Sequence, residues 1–454
     1  MTIFEHNPLL KALLAHSLAR PNKVALIEEG NRVTYRELWE NILSFADELK
    51  AQGKKRGDKQ LLMAEKELSF VYQYFAAHIL GITNVIVDPA STSELVNYIK
   101  AIVSSHDCPV EETADIMFTS GTTSVPKGVC LTHENIAASA RNITEFIGNT
   151  AEDIEVLGLP LSHSFGLGRL RCTLLKGGTM VFVKNFANIK VFFDALEYYQ
   201  ATGFGMVPAV WQYIRKFSGT KISKFAQQLK YIEIGSAFMS QEDKELLISM
   251  FPNTRICMHY GLTEASRSFF MEFHHEAEDL NTIGSPASSD MKVVIVGEDN
   301  EECPVGVDGE ICLTGSHVIR SYFLPGDNTS AFWNGYFRTG DIGHINESGK
   351  YYLTGRKKEI INVGGKKVSP ALIEDAIVSL GFHDCACIGI NDPKGVLGEV
   401  PKAFIVKGKA SLSLEEVKYR LHSLLEPHEV PVVYEWIDKI PRTSSGKIQR
   451  LILK

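Results

Sequence analysis

Long apolar runs are missing from this chain. No stretch approaches the ~18 consecutive apolar residues of a membrane helix, so a helical membrane span is excluded. The N-terminus carries Glu5 and no apolar core, so no secretory signal is expected there. Cysteine is sparse: eight in 454 residues are too few and too scattered for a disulfide framework. Cys385 and Cys387 form a C-x-C, but they alternate along a strand-like run, Cys385-Ala-Cys-Ile-Gly-Ile390, with no second pair nearby. They read as core residues rather than zinc ligands, and His274-His275 reads as surface. A reducing, cytoplasmic compartment is the expectation. Excess positive charge is absent too. The 47 Lys and Arg face 54 Asp and Glu, for a net charge of −7, and the basic residues are scattered rather than striped. Nucleic acid is therefore not an expected partner, and any anionic ligand must be met by a local site. Repeats and low-complexity tracts are also missing. What remains is an ordinary globular composition, 44% hydrophobic and 22% charged. The chain is too long for one core, so two or more domains are expected.

One segment concentrates chemistry: Phe118-Thr-Ser-Gly-Thr-Thr-Ser-Val-Pro-Lys-Gly-Val129. An apolar strand (Ile116, Met117, Phe118) runs into a loop of hydroxyls and glycine that ends in Lys127. A helix is predicted from Thr132, its N-cap, with Glu134 in the first turn and Ile136, Ala140, Ile143 and Ile147 at helical spacing. Glycine lets backbone N–H groups approach a polyanion, hydroxyls add donors, and lysine supplies charge. Triphosphate binding is the chemistry suggested. No G-x-x-x-x-G-K-[S/T] occurs, so this is not a Walker loop.

Between about 150 and 260 strand-like runs alternate with helical patterns: Glu155–Leu159, Thr179–Val183, Gly203–Val207, Tyr231–Ile234 and Ile256–His259, with helices such as Val191–Tyr199 and Gln241–Met250. Alternation of this kind predicts a parallel sheet covered by helices. Ligands bind such sheets beyond the carboxyl ends of the strands. Three small hydroxylated turns stand at those ends: Thr119–Thr123, Gly235-Ser-Ala237 and Tyr260-Gly-Leu-Thr-Glu264. Residues 292 to 354 turn β-rich, and a charged break, Gly355-Arg-Lys-Lys-Glu359, precedes a smaller α/β stretch.

In order the chain offers Thr34-Tyr-Arg-Glu-Leu38, the Ser/Thr/Gly loop, Pro160-Leu-Ser-His-Ser-Phe-Gly166, Gly235-Ser-Ala237 and Tyr260-Gly-Leu-Thr-Glu264. It continues with Tyr336-Phe-Arg-Thr-Gly-Asp341, Gly355-Arg356, Gly364-Gly365 and Pro441-Arg-Thr-Ser-Ser-Gly-Lys-Ile448. Over nearly its whole length this series resembles the ANL superfamily of adenylate-forming enzymes, which includes acyl- and aryl-CoA synthetases, peptide-synthetase adenylation domains and beetle luciferases. The resemblance implies an α/β fold. A large N-terminal domain, 1–357, would combine parallel sheets and helices with a β-rich subdomain, and a small mobile α+β domain, 358–454, would follow. It also implies ATP-dependent adenylation of a carboxylic acid, then transfer of the acyl group to the thiol of CoA. A stand-alone enzyme loading the phosphopantetheine of an acyl carrier protein is the alternative, and a degenerate nucleotide-binding regulator is a third reading.

By resemblance, Thr119, Ser120, Gly121, Thr122, Thr123 and Lys127 cradle the β- and γ-phosphates. Thr263 bonds a phosphate, and Glu264 holds Mg²⁺. Gly235, Ser236, Ala237, His259, Tyr260, Gly261 and Leu262 wall the nucleotide site. Asp341 accepts from the ribose hydroxyls, and Arg356 adds a ribose or phosphate contact. Lys447 reaches the carboxylate and the α-phosphate together. Lys358 is the hinge, Gly364 and Gly365 line the thiol's approach, and His163 is the gate between half-reactions. The acid pocket is expected from His163, Phe204, Gly205, Met206, Val207 and Ser236. Amino-acid-activating relatives carry an aspartate where this chain has Ser164, so a free α-amino acid would lack a counter-ion for its buried ammonium. A fatty or aryl acid fits instead. Two departures stand out: Ser124 replaces a usual glycine, and the stretch near 90–115 is shortened.

Overall fold

Val, Ile and Leu runs bounded by turn residues, alternating with amphipathic helices, build the first of two compact units. One unit comprises Met1–Lys292 with Leu313–Phe337, the other Val293–Cys312 with Arg338–Lys454. The structure is a computed structural model and describes residues 7–119, 126–407, 412–442 and 448–453.

The first unit opens with α1 (Pro8–Ala19), β1 (Val24–Glu28), β2 (Asn31–Thr34) and α2 (Tyr35–Ala51). Thr34 and Glu37 close a capping box at the start of α2. Next come β3 (Lys59–Met63), α3 (Leu68–Leu80), β4 (Thr83–Val87), α4 (Ser93–Ser105), β5 (Thr113–Thr119) and β6 (Lys127–Thr132). These four strands form one sheet, in the order β3-β4-β5-β6. Only α4 crosses over between β4 and β5, in the stretch read as shortened. The chain continues through α5 (His133–Ile147), β7 (Ile154–Leu157), α6 (Ser164–Lys176), β8 (Thr179–Phe182), α7 (Ile189–Tyr198), β9 (Gly203–Met206) and α8 (Pro208–Ser218). Then follow β10 (Tyr231–Gly235), α9 (Gln241–Met250), β11 (Arg255–Tyr260), β12 (Phe269–Glu272) and β13 (Ser285–Pro286). A nine-stranded sheet results, ordered β13-β12-β11-β10-β9-β7-β8-β1-β2 and parallel from β11 through β1. The predicted parallel sheet is present, and Thr132 caps α5 through a capping box with Asn135.

The sequence reading assigned no element to residues 128–131. A strand, β6, lies between the loop and α5, pairing antiparallel with β5 so that Thr119 faces Lys127. Strands β5 and β6 therefore form an antiparallel pair ahead of α5. The reason is visible in Lys127-Gly-Val-Cys-Leu-Thr132, whose apolar run buries as a strand.

Helix α6 carries two arginines two residues apart, hence on opposite sides of the helix. Arg169 Nε donates to Glu155 of β7 at 2.8 Å, while Arg171 pairs with Asp115 of β5 and donates to the Tyr74 hydroxyl of α3 at 3.0 Å. One helix is thus pinned by ion pairs to strands of both sheets. His274, read as surface, is half-buried, its Nε2 within 3.1 Å of the carbonyls of Phe251 and Thr254, while its neighbour His275 is exposed.

The β-rich segment supplies β14 (Lys292–Val296), β15 (Gly309–Thr314), β16 (Phe332–Trp333), β17 (Tyr336–Ile345) and β18 (Tyr351–Arg356). In the second unit β15 lies between β14 and β17, and β18 pairs with β17. After them come the hairpin β19 (Ile361–Val363) and β20 (Lys366–Val368), then α10 (Pro370–Ser379), β21 (Cys385–Asn391), β22 (Glu399–Val406), α11 (Leu414–Leu421) and β23 (Val433–Ile437). Cys385 and Cys387 are buried in strand β21, with Ile373 and Ile377 of α10 in the same core cluster. The division by compactness does not fall at 358. Residues 293–312 and 338–357 group with the C-terminal segment, because β18 packs directly onto the start of α10: a Cβ at Gly355 would sit 2.8 Å from Ser369 Oγ.

Candidate active site

Both ends of the phosphate loop are fixed, although Ser120, Gly121, Thr122, Thr123 and Ser124 lie outside the described residues. Thr119 and Lys127 pair across the hairpin. Lys127 Nζ lies 3.5 Å from Asp327 Oδ1 and 4.8 Å above the Tyr322 ring. The Tyr322 hydroxyl donates to Glu264 Oε1 at 2.8 Å. Burial, reinforced by Glu264, pushes this phenol well above its ordinary pKa, so it stays a donor. Tyr322 is held by a bridge to Val129, and Phe323 N–H donates to Gly128 O at 2.7 Å. Gly128 has to be glycine, since a Cβ there would come within 2.9 Å of Phe323 Cβ. Strand β6 and the turn that ends β11 therefore meet at one tyrosine that the sequence reading did not single out.

Glu264 is 8% exposed, and its carbonyl accepts from Ile319 N–H at 2.9 Å. Its second carboxylate oxygen, Oε2, is not used by Tyr322. Among the described residues no three His, Cys, Asp or Glu side chains gather as a metal cage. A single oriented carboxylate suits Mg²⁺, which is held by one or two carboxylates together with substrate phosphates. Thr263 and Tyr260 to Leu262 are partly exposed beside it.

The third turn, after β10, lies beside β11 in register, Gly235 opposite His259. The His259 ring occupies the space a Gly235 Cβ would need, so glycine is obligatory there. Ser236 has φ +76°, a left-handed conformation that costs a non-glycine residue about 1 kcal/mol or more. His259 Nδ1 lies 2.9 Å from Glu233 Oε1. Burial lowers the imidazole's pKa against the pull of Glu233, which favours the neutral ring. Burial alone would raise Glu233, yet Arg267 and Arg169 outweigh it and hold the carboxyl well below the usual range.

Arg267, three residues past Glu264, gathers these segments. Nε meets Glu233 Oε1 at 3.2 Å, Nη1 donates to Ser164 O at 2.8 Å, and Nη2 donates to Phe165 O at 3.0 Å. Gly168 leaves room for its guanidinium, which lies over the Phe165 ring. This links the strand ends to the start of α6, where His163 is the N-cap residue. Ser162 Oγ donates to Asp88 Oδ2 at 2.8 Å, and His163 Nε2 lies 3.8 Å from the same oxygen. Asp88 was also missed; its place directly after the buried strand β4 was the available signal.

The strand residues expected in the acid pocket lie on both faces of β9. Phe204 and Met206 are fully buried, Phe204 edge-on to Phe192 of α7 at 5.1 Å. Strand alternation turns Gly205 the other way, toward Phe165 and Leu159. Gly205 and half-buried Val207 remain candidates.

In the second unit Asp341 is buried in register with Arg356, Nε to Oδ1 at 2.9 Å. Lys358 stands exposed in the turn after β18. Gly364 (φ +58°) and Gly365 (φ +89°) make the two-residue loop of the β19–β20 hairpin, a local reason for both glycines. Lys447 lies outside the described residues.

The AMP-binding enzyme family matches residues 14–105 and 100–323, stretches that meet inside α4, and the AMP-binding enzyme C-terminal domain matches 372–447. The chain belongs to the AMP-binding enzymes. This AMP-binding enzyme is 27% identical to a 2-succinylbenzoate–CoA ligase of Bacillus velezensis, with 96% of each chain covered. It is 26% identical to a feruloyl-CoA synthase of Amycolatopsis sp, with 94% of each covered. It is 30% identical to the long-chain-fatty-acid–CoA ligase FadD13 of Mycobacterium tuberculosis over 77% of this chain and 68% of that one. Its fold is that of ATP-bound MatB from Rhodopseudomonas palustris, with a TM-score of 0.87, 23% identity, and 100% and 98% of the two chains covered. It also matches an o-succinylbenzoate CoA synthetase of Bacillus subtilis in complex with ATP and magnesium, with a TM-score of 0.86, 24% identity, and 97% and 98% covered.

Proposed function

We propose that this AMP-binding enzyme is an acid–thiol ligase that joins a fatty or aryl carboxylic acid to the thiol of CoA, cleaving ATP to AMP and pyrophosphate. The observation that carries the reading is the convergence of Lys127 and Glu264 on Tyr322, which sets a phosphate-binding cation beside a metal-binding carboxylate. The names of the relatives, all CoA ligases or synthetases, support it.

In the first half-reaction an oxygen of the acid attacks the α-phosphorus. The new O–P bond forms as the α–β bridging P–O bond breaks, and pyrophosphate leaves. Thr119, Lys127 and the loop between them hold the departing phosphates, with Thr263 as a further donor. Glu264 would hold Mg²⁺, which supplies positive charge where carboxylate and triphosphate meet. Gly235 to Ala237 and His259 to Leu262 wall the base, and Asp341 with Arg356 serves the ribose. Lys447 places one ammonium where negative charge develops, an effect of roughly 10²- to 10³-fold in rate. In the second half-reaction the thiol sulfur attacks the acyl carbonyl, AMP leaves, and the thiol proton is lost to solvent. Lys358 is the hinge for that change, Gly364 and Gly365 flank the thiol, and His163 is the gate. Ser164 argues against a free α-amino acid. We place the enzyme in the cytoplasm, which suits its eight free cysteines; among the described residues no helix is long and apolar enough to cross a membrane.

The test is acid-dependent ATP–pyrophosphate exchange over a panel of aryl and aliphatic acids. Lys447→Ala should lower exchange by about 10²- to 10³-fold; unchanged exchange would remove the lysine from the mechanism. Preformed adenylate is then offered CoA and a holo carrier protein separately. Transfer only to the carrier reassigns the thiol, and the absence of exchange with every acid favours a regulatory nucleotide-binding role.

A further inference from the structure

We infer that Tyr322 is a positioning residue with two separable functions: its hydroxyl orients Glu264 toward the metal, and its ring holds Lys127 at the mouth of the phosphate loop. The inference rests on the reading of Glu264 as the Mg²⁺ ligand.

The geometry divides cleanly. Only the hydroxyl touches Glu264, at 2.8 Å, and only the ring faces Lys127 Nζ, at 4.8 Å. The side chain is nearly buried at 6% exposure, with a second ring, Phe337, 6.3 Å away. Its backbone is pinned on both sides. Tyr322 N–H donates to Asn328 Oδ1 at 2.8 Å, and Asn328 Nδ2 donates back to Tyr322 O at 3.2 Å. A bridge to Val129 ties it to β6, two residues from Lys127. A tyrosine clamped at this depth fixes one carboxylate oxygen of Glu264, so the other is presented in one direction. Partners of a metal ligand that act in this way typically change metal affinity by about 10- to 100-fold when removed. The ring contributes separately, because the aromatic face attracts the ammonium in addition to its ion pair with Asp327.

Equilibrium ATP binding, measured without acid so that no turnover occurs, separates the two functions. Tyr322→Phe should raise the free Mg²⁺ needed for half-maximal ATP binding by about 10-fold and leave ATP binding in EDTA unchanged. Tyr322→Leu should raise the Mg²⁺ requirement equally and also weaken binding in EDTA, as Lys127→Met does. Glu264→Gln is the reference, and combining it with Tyr322→Phe should add no further shift. If Glu264→Gln raises the Mg²⁺ requirement while Tyr322→Phe does not, the positioning role is overturned and the metal assignment stands. A requirement untouched by Glu264→Gln removes the metal assignment itself, and the inference falls with it. Thermal melting of each variant confirms that the fold is intact.

Discussion

The phosphate end of the site and the ionic layer around α6 both gather charge inside the first unit, yet their charges are answered differently. Around α6 each buried arginine lies within ion-pair distance of a carboxylate. Arg169 meets Glu155 and Glu233, Arg267 meets Glu233 and two carbonyls, and Arg171 meets Asp115 and Tyr74, all at or near zero exposure. At the phosphate end Lys127 has one ion pair, at 3.5 Å, and remains a third exposed. Glu264 has one oxygen not used by Tyr322. Charges that hold the frame use up their partners, whereas charges that meet a ligand keep a face for it.

That contrast breaks most readily at Arg169. Removing one member of a buried ion pair leaves an uncompensated charge and costs about 3–5 kcal/mol. Arg169→Met should therefore lower the unfolding free energy by that amount in denaturant titration, because Glu155 and Glu233 lose their shared cation. Glu264→Gln should change stability far less while it alters metal-dependent ATP binding. Comparable losses from the two substitutions would erase the distinction between frame and site.

The same distinction explains what the sequence made legible. Strands β5, β7 to β11 and the capped helix α5 are written in local apolar pattern and turn chemistry, so they could be read directly. The proposed ligand contacts Glu264 and Lys127 were legible because they sit in short motifs beside strand ends. Strand β6 was not, since Gly128 and a preceding proline disguise a buried strand as loop. Tyr322 and Arg267 were hidden for another reason. Each works through partners more than 30 positions away, Glu264 for one and Glu233 for the other, and neighbouring letters carry no trace of that. Phe204 and Met206 could not be told from Gly205 in the sequence because a strand has two faces, and only packing shows which faces α6.

A subtler departure within the frame is His133, where α5 meets the ionic layer. Asn7 Oδ1 accepts from the Leu9 and Leu10 amides, so its Nδ2 must be the atom 3.0 Å from His133 Nδ1. An amide nitrogen donates only, and that ring nitrogen is therefore the acceptor and unprotonated. His78 stacks edge-on at 4.8 Å, and Asp115 and Arg171 stand behind it. Burial, then His78, pushes the His133 pKa down to about 3 from 6.5. Because the folded value lies below the unfolded one, the unfolded chain takes up the proton first. Stability is complete above pH 6.5 and falls as pH drops toward 3, by on the order of 3 kcal/mol at pH 4. His133→Gln should flatten the stability–pH curve between pH 6.5 and 5 by nearly one proton. His317, which burial pushes down to about 4, contributes part of the remaining slope. An unchanged slope in the variant would mean that His133 is already charged in the fold.

The smallest effect is expected at Asp327, and it probes the open side of the comparison. Asp327 lies 3.5 Å from Lys127, with both side chains a quarter to a third exposed, so the pair contributes under about 1 kcal/mol to stability. On the proposed role of Lys127, its carboxylate would compete with phosphate for the lysine and repel the triphosphate as well. Asp327→Asn should leave the melting curve in place and tighten ATP binding in EDTA by about 2- to 5-fold, as the loss of a weak exposed competitor implies. The gain should shrink as Mg²⁺ is added, since the metal screens the phosphates. Weaker ATP binding in this variant would show that Asp327 serves the ligand directly, and Lys127 would then owe its position to Tyr322 alone.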